Sequence, residues 1–201
     1  RPAVHDSDGL LIHNGAGEVI WRPLSNPRTL QLSAFSDENT RGFGLMQRPR
    51  KFSDYADLEA LYHARPSAWI TPLDDWGKGS VTLVEIPADL EIYDNIVAYW
   101  RPATPIAAGG SHAMQYTLDW GADPAPNLDM PLRILGTAIG ARPEGGNIVT
   151  IDFSDGALVP EDLSRLDIIL QSSAGDLTPG LVQRNPDTNG PRLAFTFKPG
   201  D

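Results

Sequence analysis

Ser80–Trp100, SVTLVEIPADLEIYDNIVAYW, decides the fold. It reads as two strands, Ser80–Ile86 and Asn95–Trp100, separated by a short acidic connection that carries Glu91 and Asp94. Both strands are rich in β-branched and aromatic residues, which suit a pleated, half-buried surface. Pro87 cannot donate to a ladder, so it ends the first strand or confines it to an edge. Carboxylates at the mouth of a rigid sheet, with aromatics nearby, are what glycoside cleavage requires. Taken alone, the connection has a simpler reading as a solvated acidic turn, where most loop carboxylates sit.

Working outward, strands are expected at Glu18–Arg22, Thr29–Phe35, Gly42–Gln47, Ala68–Thr71 and Met114–Trp120. In Thr29–Phe35, Leu30 and Leu32 alternate with Gln31 and Ser33, giving one buried and one wetter face. A single helix is expected at Ser53–His63. Ser53 is its N-cap, Asp54 and Asp57 favour the first-turn dipole, Leu58, Leu61 and Tyr62 share a face, and Pro66 stops it. Gly121–Pro131, GADPAPNLDMP, is a Pro-rich polar hinge and the best domain boundary. Beyond it, short strands are expected at Arg133–Ala141, Asn147–Ser154, Asp167–Gln171, Leu181–Asn185 and Arg192–Lys198. About five strands in that span suggest a small immunoglobulin-like sandwich, incomplete at its C-terminal edge because roughly seven are usual.

Composition narrows the function. The 201 residues carry 18 Pro and 19 Gly, scattered as punctuation between short strands in the manner of an all-β protein. A formal charge of −10 argues against nucleic acid and against an anionic membrane surface, both of which attract Lys and Arg. No apolar run approaches the length of a membrane-spanning helix. With no Cys there is neither disulfide nor thiolate chemistry. The opening RPAVHDSDGL reads like the middle of a domain, so a fragment of a longer polypeptide is expected.

Other candidate motifs favour plain structural readings. HDSDG at His5–Gly9 is part of a calcium-loop pattern, but the remaining ligand positions and the closing Glu are missing. Asp37-Glu38, with Arg41 in reach, reads as a hairpin-turn salt bridge. Asp74-Asp75-Trp76-Gly77-Lys78-Gly79 reads as a hairpin loop and lacks phosphate-loop spacing. No Ser has a nucleophile-elbow context. Of Trp21, Trp69, Trp76, Trp100 and Trp120, most are expected in the core, with one or two lining a groove where a sugar ring can stack.

HDSDGL, GEVIWRPLSNPR, FSDENTRGFGLMQR, ARPSAWITP, DWGKGSVTLVEIP and DNIVAYW together resemble the periplasmic glucan biosynthesis protein G/D family. The resemblance runs from Arg1 to about Trp120, weakens after Pro131, and returns in NPDTNGPRLAF. It implies an all-β fold: the C-terminal part of a large galactose-mutarotase-like sandwich over residues 1–121, a linker over 122–130, and an incomplete immunoglobulin-like domain over 131–201. It also implies a periplasmic location and activity on a β-glucan, as an anomer-inverting endo-β-1,2-glucanase or a transglycosylase. A non-catalytic role in glucan binding, backbone assembly and export is the other possibility. Carried over by position, the general acid falls on Asp94 and the general base on Asp6. Tyr62 and Arg65 match residues that bind substrate or relay a proton, and Glu91 matches a further subsite acid. No cofactor or metal is implied. The expected partners are a β-glucan and the upstream part of the same polypeptide, with room for a homodimer.

Overall fold

The computed structural model describes residues 8–200, apart from 57–58, 91, 127, 129–131 and 157–158. The chain divides into two compact units, Arg1–Leu128 and Asp129–Asp201. Almost all regular structure is β-strand, as the sequence predicts.

The first unit is built from two sheets. One has the order β2-β1-β4-β5-β8, made from β1 (Gly9–His13), β2 (Val19–Pro23), β4 (Gly42–Met46), β5 (Ser67–Pro72) and β8 (Tyr116–Gly121). The other has the order β3-β6-β7, from β3 (Gln31–Glu38), β6 (Lys78–Glu85) and β7 (Ile96–Pro102). The Ser80–Trp100 stretch forms an antiparallel hairpin in which Glu85 faces Ile96 and Gly79 faces Pro102. Alternation decides which face it buries. Val81 and Leu83 turn inward with Trp100 and meet Leu10, Ile12 and Phe43 of the larger sheet, forming the main core together with Trp76. The larger sheet is also covered on its other face, where Leu11, Met46 and Trp69 pack with Trp21, Ala125 and Leu128. Trp21 lies so close over β1 that a Cβ at Gly9 would stand 2.2 Å from its ring, so only glycine fits there.

Several expectations need correction. Among the described residues of the span expected to form a helix, Ser53–His63, there is no α-helix, only 3-10 turns at Phe52–Asp54 and Tyr62–Ala64. Leu61 stands at φ 53 between them, in the left-handed region, and breaks any helical run. The segment's carbonyls are taken up from outside, by Gln47 on Tyr62 and Arg50 on Arg65, and Tyr55 and Tyr62 are both buried. Tertiary packing therefore overrides a modest helical pattern. The Asp74–Gly79 turn is no hairpin loop. It carries the chain from β5 in one sheet to β6 in the other, with Trp76 buried in the core and Gly77 at φ 71. Asp37 also departs from its expected salt bridge with Arg41: its carboxylate accepts from the Gly15 amide at 3.0 Å and the Glu38 amide at 2.8 Å.

The second unit contains a four-stranded antiparallel sheet of order β11-β12-β10-β9, from β9 (Ile134–Ala141), β10 (Asn147–Phe153), β11 (Asp176–Arg184) and β12 (Pro191–Lys198). The strand expected at Asp167–Gln171 is missing. Its apolar residues have no ladder neighbour, and Leu170 instead lies beside Gly180 of β11. Asp152 and Arg192 pair across this sheet at 2.6 Å and 2.7 Å, and the guanidinium holds the Asp152 carboxyl below its usual range.

Candidate functional site

The strand registers bring several connections to one end of the sandwich. In the larger sheet Gly9 opens β1 opposite Pro23, which closes β2, and opposite Met46, which closes β4. Ser67 opens β5 opposite Gly121, which closes β8. In the smaller sheet Gln31 opens β3 opposite Glu85, which closes β6 next to Ile96 at the start of β7. Arg22 and Ser25, which leave β2, reach across to Glu85 and fix these termini at the same end. The connection carrying Asp94, the segment of residues 47–66 carrying Tyr62 and Arg65, and Asp8 at the foot of β1 therefore share one end.

Asp94 is exposed on the β6–β7 connection. The loop closes where the Ile86 amide donates to the Asn95 carbonyl at 2.9 Å and the Asn95 side chain donates back to the Ile86 carbonyl at 3.0 Å. Leu90, Ile92 and Tyr93 of this loop also face solvent. Glu85, at its base, is fully buried. Its carboxylate accepts from Arg22 Nη2 at 2.7 Å, from the Ser25 amide at 2.6 Å and from the Ser25 hydroxyl at 3.0 Å. A buried carboxylate is tolerated because it is both charge-paired and hydrogen-bonded. One turn further on, Asn26 and Ala88 exchange bonds: the Ala88 amide donates to Asn26 Oδ1 at 3.0 Å, and Asn26 Nδ2 donates to the Ala88 carbonyl at 2.7 Å.

Across the same end, Tyr62 is buried and stacks on Tyr55 with ring centroids 5.8 Å apart. The Arg65 guanidinium lies 5.6 Å from the Tyr62 ring, while its Nε donates to the Ala60 carbonyl at 3.1 Å. Arg50 braces this turn by donating to the Arg65 carbonyl, to Ser67 Oγ at 2.9 Å and to the Ala122 carbonyl at 2.7 Å. Burial, reinforced by the Asp8 carboxylate, pushes the Tyr55 phenol up to about 12. Arg48 stacks on Trp21, 4.0 Å from the ring centroid, and burial lowers its pKa against the opposing pull of Asp8. Its Nε and Nη1 are buried without hydrogen-bond partners among the described residues, as are Gln47 Oε1, His63 Nδ1 and Trp21 Nε1.

Of the expected site residues, Asp94, Tyr62 and Arg65 thus gather at one end of the sandwich. Asp6 and Glu91 lie outside the described residues. Sequence reasoning assigned no role to Arg22, Ser25, Asn26, Gln47, Arg48, Arg50 or Glu85. Apart from Arg50, all of these lie within the quoted motifs WRPLSNPR, GLMQR and VTLVEIP, which were the available signal. Trp69, Trp76 and Trp100 are core residues, as expected of most Trp, whereas Trp120 is exposed.

The whole chain, residues 1–201, matches the family described as "Periplasmic glucan biosynthesis protein, MdoG". The chain belongs to this family. It is 47% identical over 205 residues to "Glucans biosynthesis protein G" of Vibrio cholerae serotype O1, covering 100% of this chain and 37% of that relative. It is 44% identical over 205 residues to "Glucans biosynthesis protein G 1" of Shewanella oneidensis, again covering 100% of this chain and 37% of the relative. This MdoG-family chain therefore spans well under half the length of these relatives. No helix among its described residues is long and apolar enough to cross a membrane.

Proposed function

We propose that the chain is part of a periplasmic β-glucan-active enzyme that cleaves or rearranges β-1,2-glucan with inversion at the anomeric carbon. In this reading Asp94 is the general acid and protonates the leaving glycosidic oxygen. Asp6 is the general base: it takes a proton, through water and a sugar hydroxyl, from the water that attacks the opposite face. Tyr62 and Arg65 hold the sugar or pass the proton, and Glu91 serves a further subsite. The upstream part of the polypeptide completes the cleft around the exposed Asp94, and the burial it brings helps keep the acid protonated. The observation that carries this reading is the convergence at one sandwich end of the Asp94 loop, the Tyr62–Arg65 turn and Asp8, two residues from Asp6.

The second reading is a non-catalytic glucan-binding or assembly protein that uses the same cleft. It is favoured by the exposure of Asp94 in this chain and by relatives whose names speak of glucan biosynthesis. Incubating the full-length protein with linear β-1,2-glucan separates the two. Shorter or cyclised chains are expected on the enzymatic reading; unchanged glucan alongside measurable binding would favour the second.

A further inference from the structure

The β6–β7 connection is held from outside its own hairpin. Its base is fixed by Glu85, buried and bonded to Arg22 and Ser25, and its first turn by the paired bonds between Asn26 and the Ala88 backbone. All of these partners come from the end of β2 and the stretch that follows it, 60 to 63 residues away in sequence. A hairpin does not need such bonds to form, because the β6–β7 register is already closed by Ile86 and Asn95. Asn26 is itself on the exposed side of the chain, so its amide adds little to the core. What the bonds do constrain is the direction in which Ile86-Pro87-Ala88 leaves the sheet, and hence where the Asp94 carboxylate stands above it.

We infer that Asn26 and Glu85 form a latch between the β2–β3 and β6–β7 connections, and that Asn26 is a positioning residue for Asp94. The inference rests on the proposed general-acid role of Asp94. A reacting group displaced by about an ångström can lose roughly a hundredfold in rate. Opening half of the latch should therefore act on turnover well before it acts on folding or on sugar binding.

The test uses the full-length protein with linear β-1,2-glucan and compares Asn26→Ala, Glu85→Gln and Asp94→Asn. Asn26→Ala is expected to lower kcat about tenfold or more while KM stays within about twofold. Its thermal midpoint should be unchanged. Amide exchange should quicken at Ala88, Asp89 and Leu90 and stay as in the wild type along Lys78–Glu85. Glu85→Gln should quicken exchange at the same amides, with a lower thermal midpoint because Arg22 loses its counter-charge. Wild-type exchange at Ala88–Leu90 in Asn26→Ala would overturn the latch. Quickened exchange with wild-type kcat, in an assay where Asp94→Asn is inactive, would overturn the positioning role. An active Asp94→Asn would instead remove the general-acid reading, and the positioning role with it.

Discussion

The two ends of the sandwich are built differently. At the Trp76 end the chain turns with backbone bonds and aromatic packing. Trp76 lies 5.9 Å from Trp100 and 6.1 Å from Tyr116, the Gly77 amide donates to Asn39 Oδ1 at 2.7 Å, and the Asn39 amide donates back to the Gly77 carbonyl at 3.0 Å. At the Asp94 end the same strands terminate among charged and polar side chains. There stand a buried Glu85, an Arg50 spread over three acceptors and, among the described residues, an Arg48 with two nitrogens and a Gln47 with one buried oxygen that find no hydrogen-bond partner. A buried polar group left unbonded costs about 1–3 kcal/mol. The Trp76 end also carries such a group, Trp100 Nε1, but no charged one among the described residues. The contrast agrees with the proposed reading, in which stability yields to function at the Asp94 end.

Paired substitutions can break that contrast. Asp94→Asn and Asp6→Asn should each lower turnover by roughly 10²–10⁴-fold while leaving the thermal midpoint and glucan binding nearly unchanged. At the other end Trp76→Ala should do the reverse. Emptying the space under Trp100 costs about 3–5 kcal/mol of stability, read by denaturant titration, with near-normal turnover per folded molecule. A folded but inactive Trp76→Ala would mean that the two ends are not functionally distinct. Tyr62→Phe is the next largest effect. If its hydroxyl holds sugar or proton, kcat should fall about tenfold with KM little altered, equivalent to about 1.4 kcal/mol.

Tyr55 supplies a pH signature at the Asp94 end. Its folded pKa is about 12 against an ordinary 10.0, because burial and Asp8 disfavour the phenolate. The protonated phenol thus stabilises the fold fully below pH 10, and that stability drains away as pH rises from 10 towards 12. Stability curves recorded across this window should fall less steeply in Tyr55→Phe than in the wild type; identical slopes would show that Tyr55 does not report on this packing. The smallest effect is expected at Asp37→Asn. The new amide oxygen can still accept from Gly15, so the loss should stay near about 1 kcal/mol and turnover should not move.

The strands of Ser80–Trp100 were legible because both segments are rich in β-branched and aromatic residues and Pro87 marks the end of the first. The segment of residues 47–66 was not. Its carbonyls are satisfied by side chains of Gln47 and Arg50 and its Tyr rings are buried together, arrangements that no local period encodes. The Asp74–Gly79 turn was misread for a related reason: its spacing fits a hairpin, but Trp76 seeks the core and draws the chain across to the opposite sheet. Asp94, Tyr62 and Arg65 came from family motifs and stand at a common end. Glu85 and Asn26 carried no chemical signature of their own, since their meaning lies in partners some sixty residues distant.

On the proposed reading, inverting chemistry is carried out at the Asp94 end. Proton NMR of linear β-1,2-glucan mixed with the full-length protein tests it most directly, by reading the anomeric configuration of new reducing ends before they equilibrate. α-Anomeric ends are expected at early times, and none with Asp94→Asn. Early β-anomeric ends, or unchanged glucan bound to the wild-type protein, would contradict it.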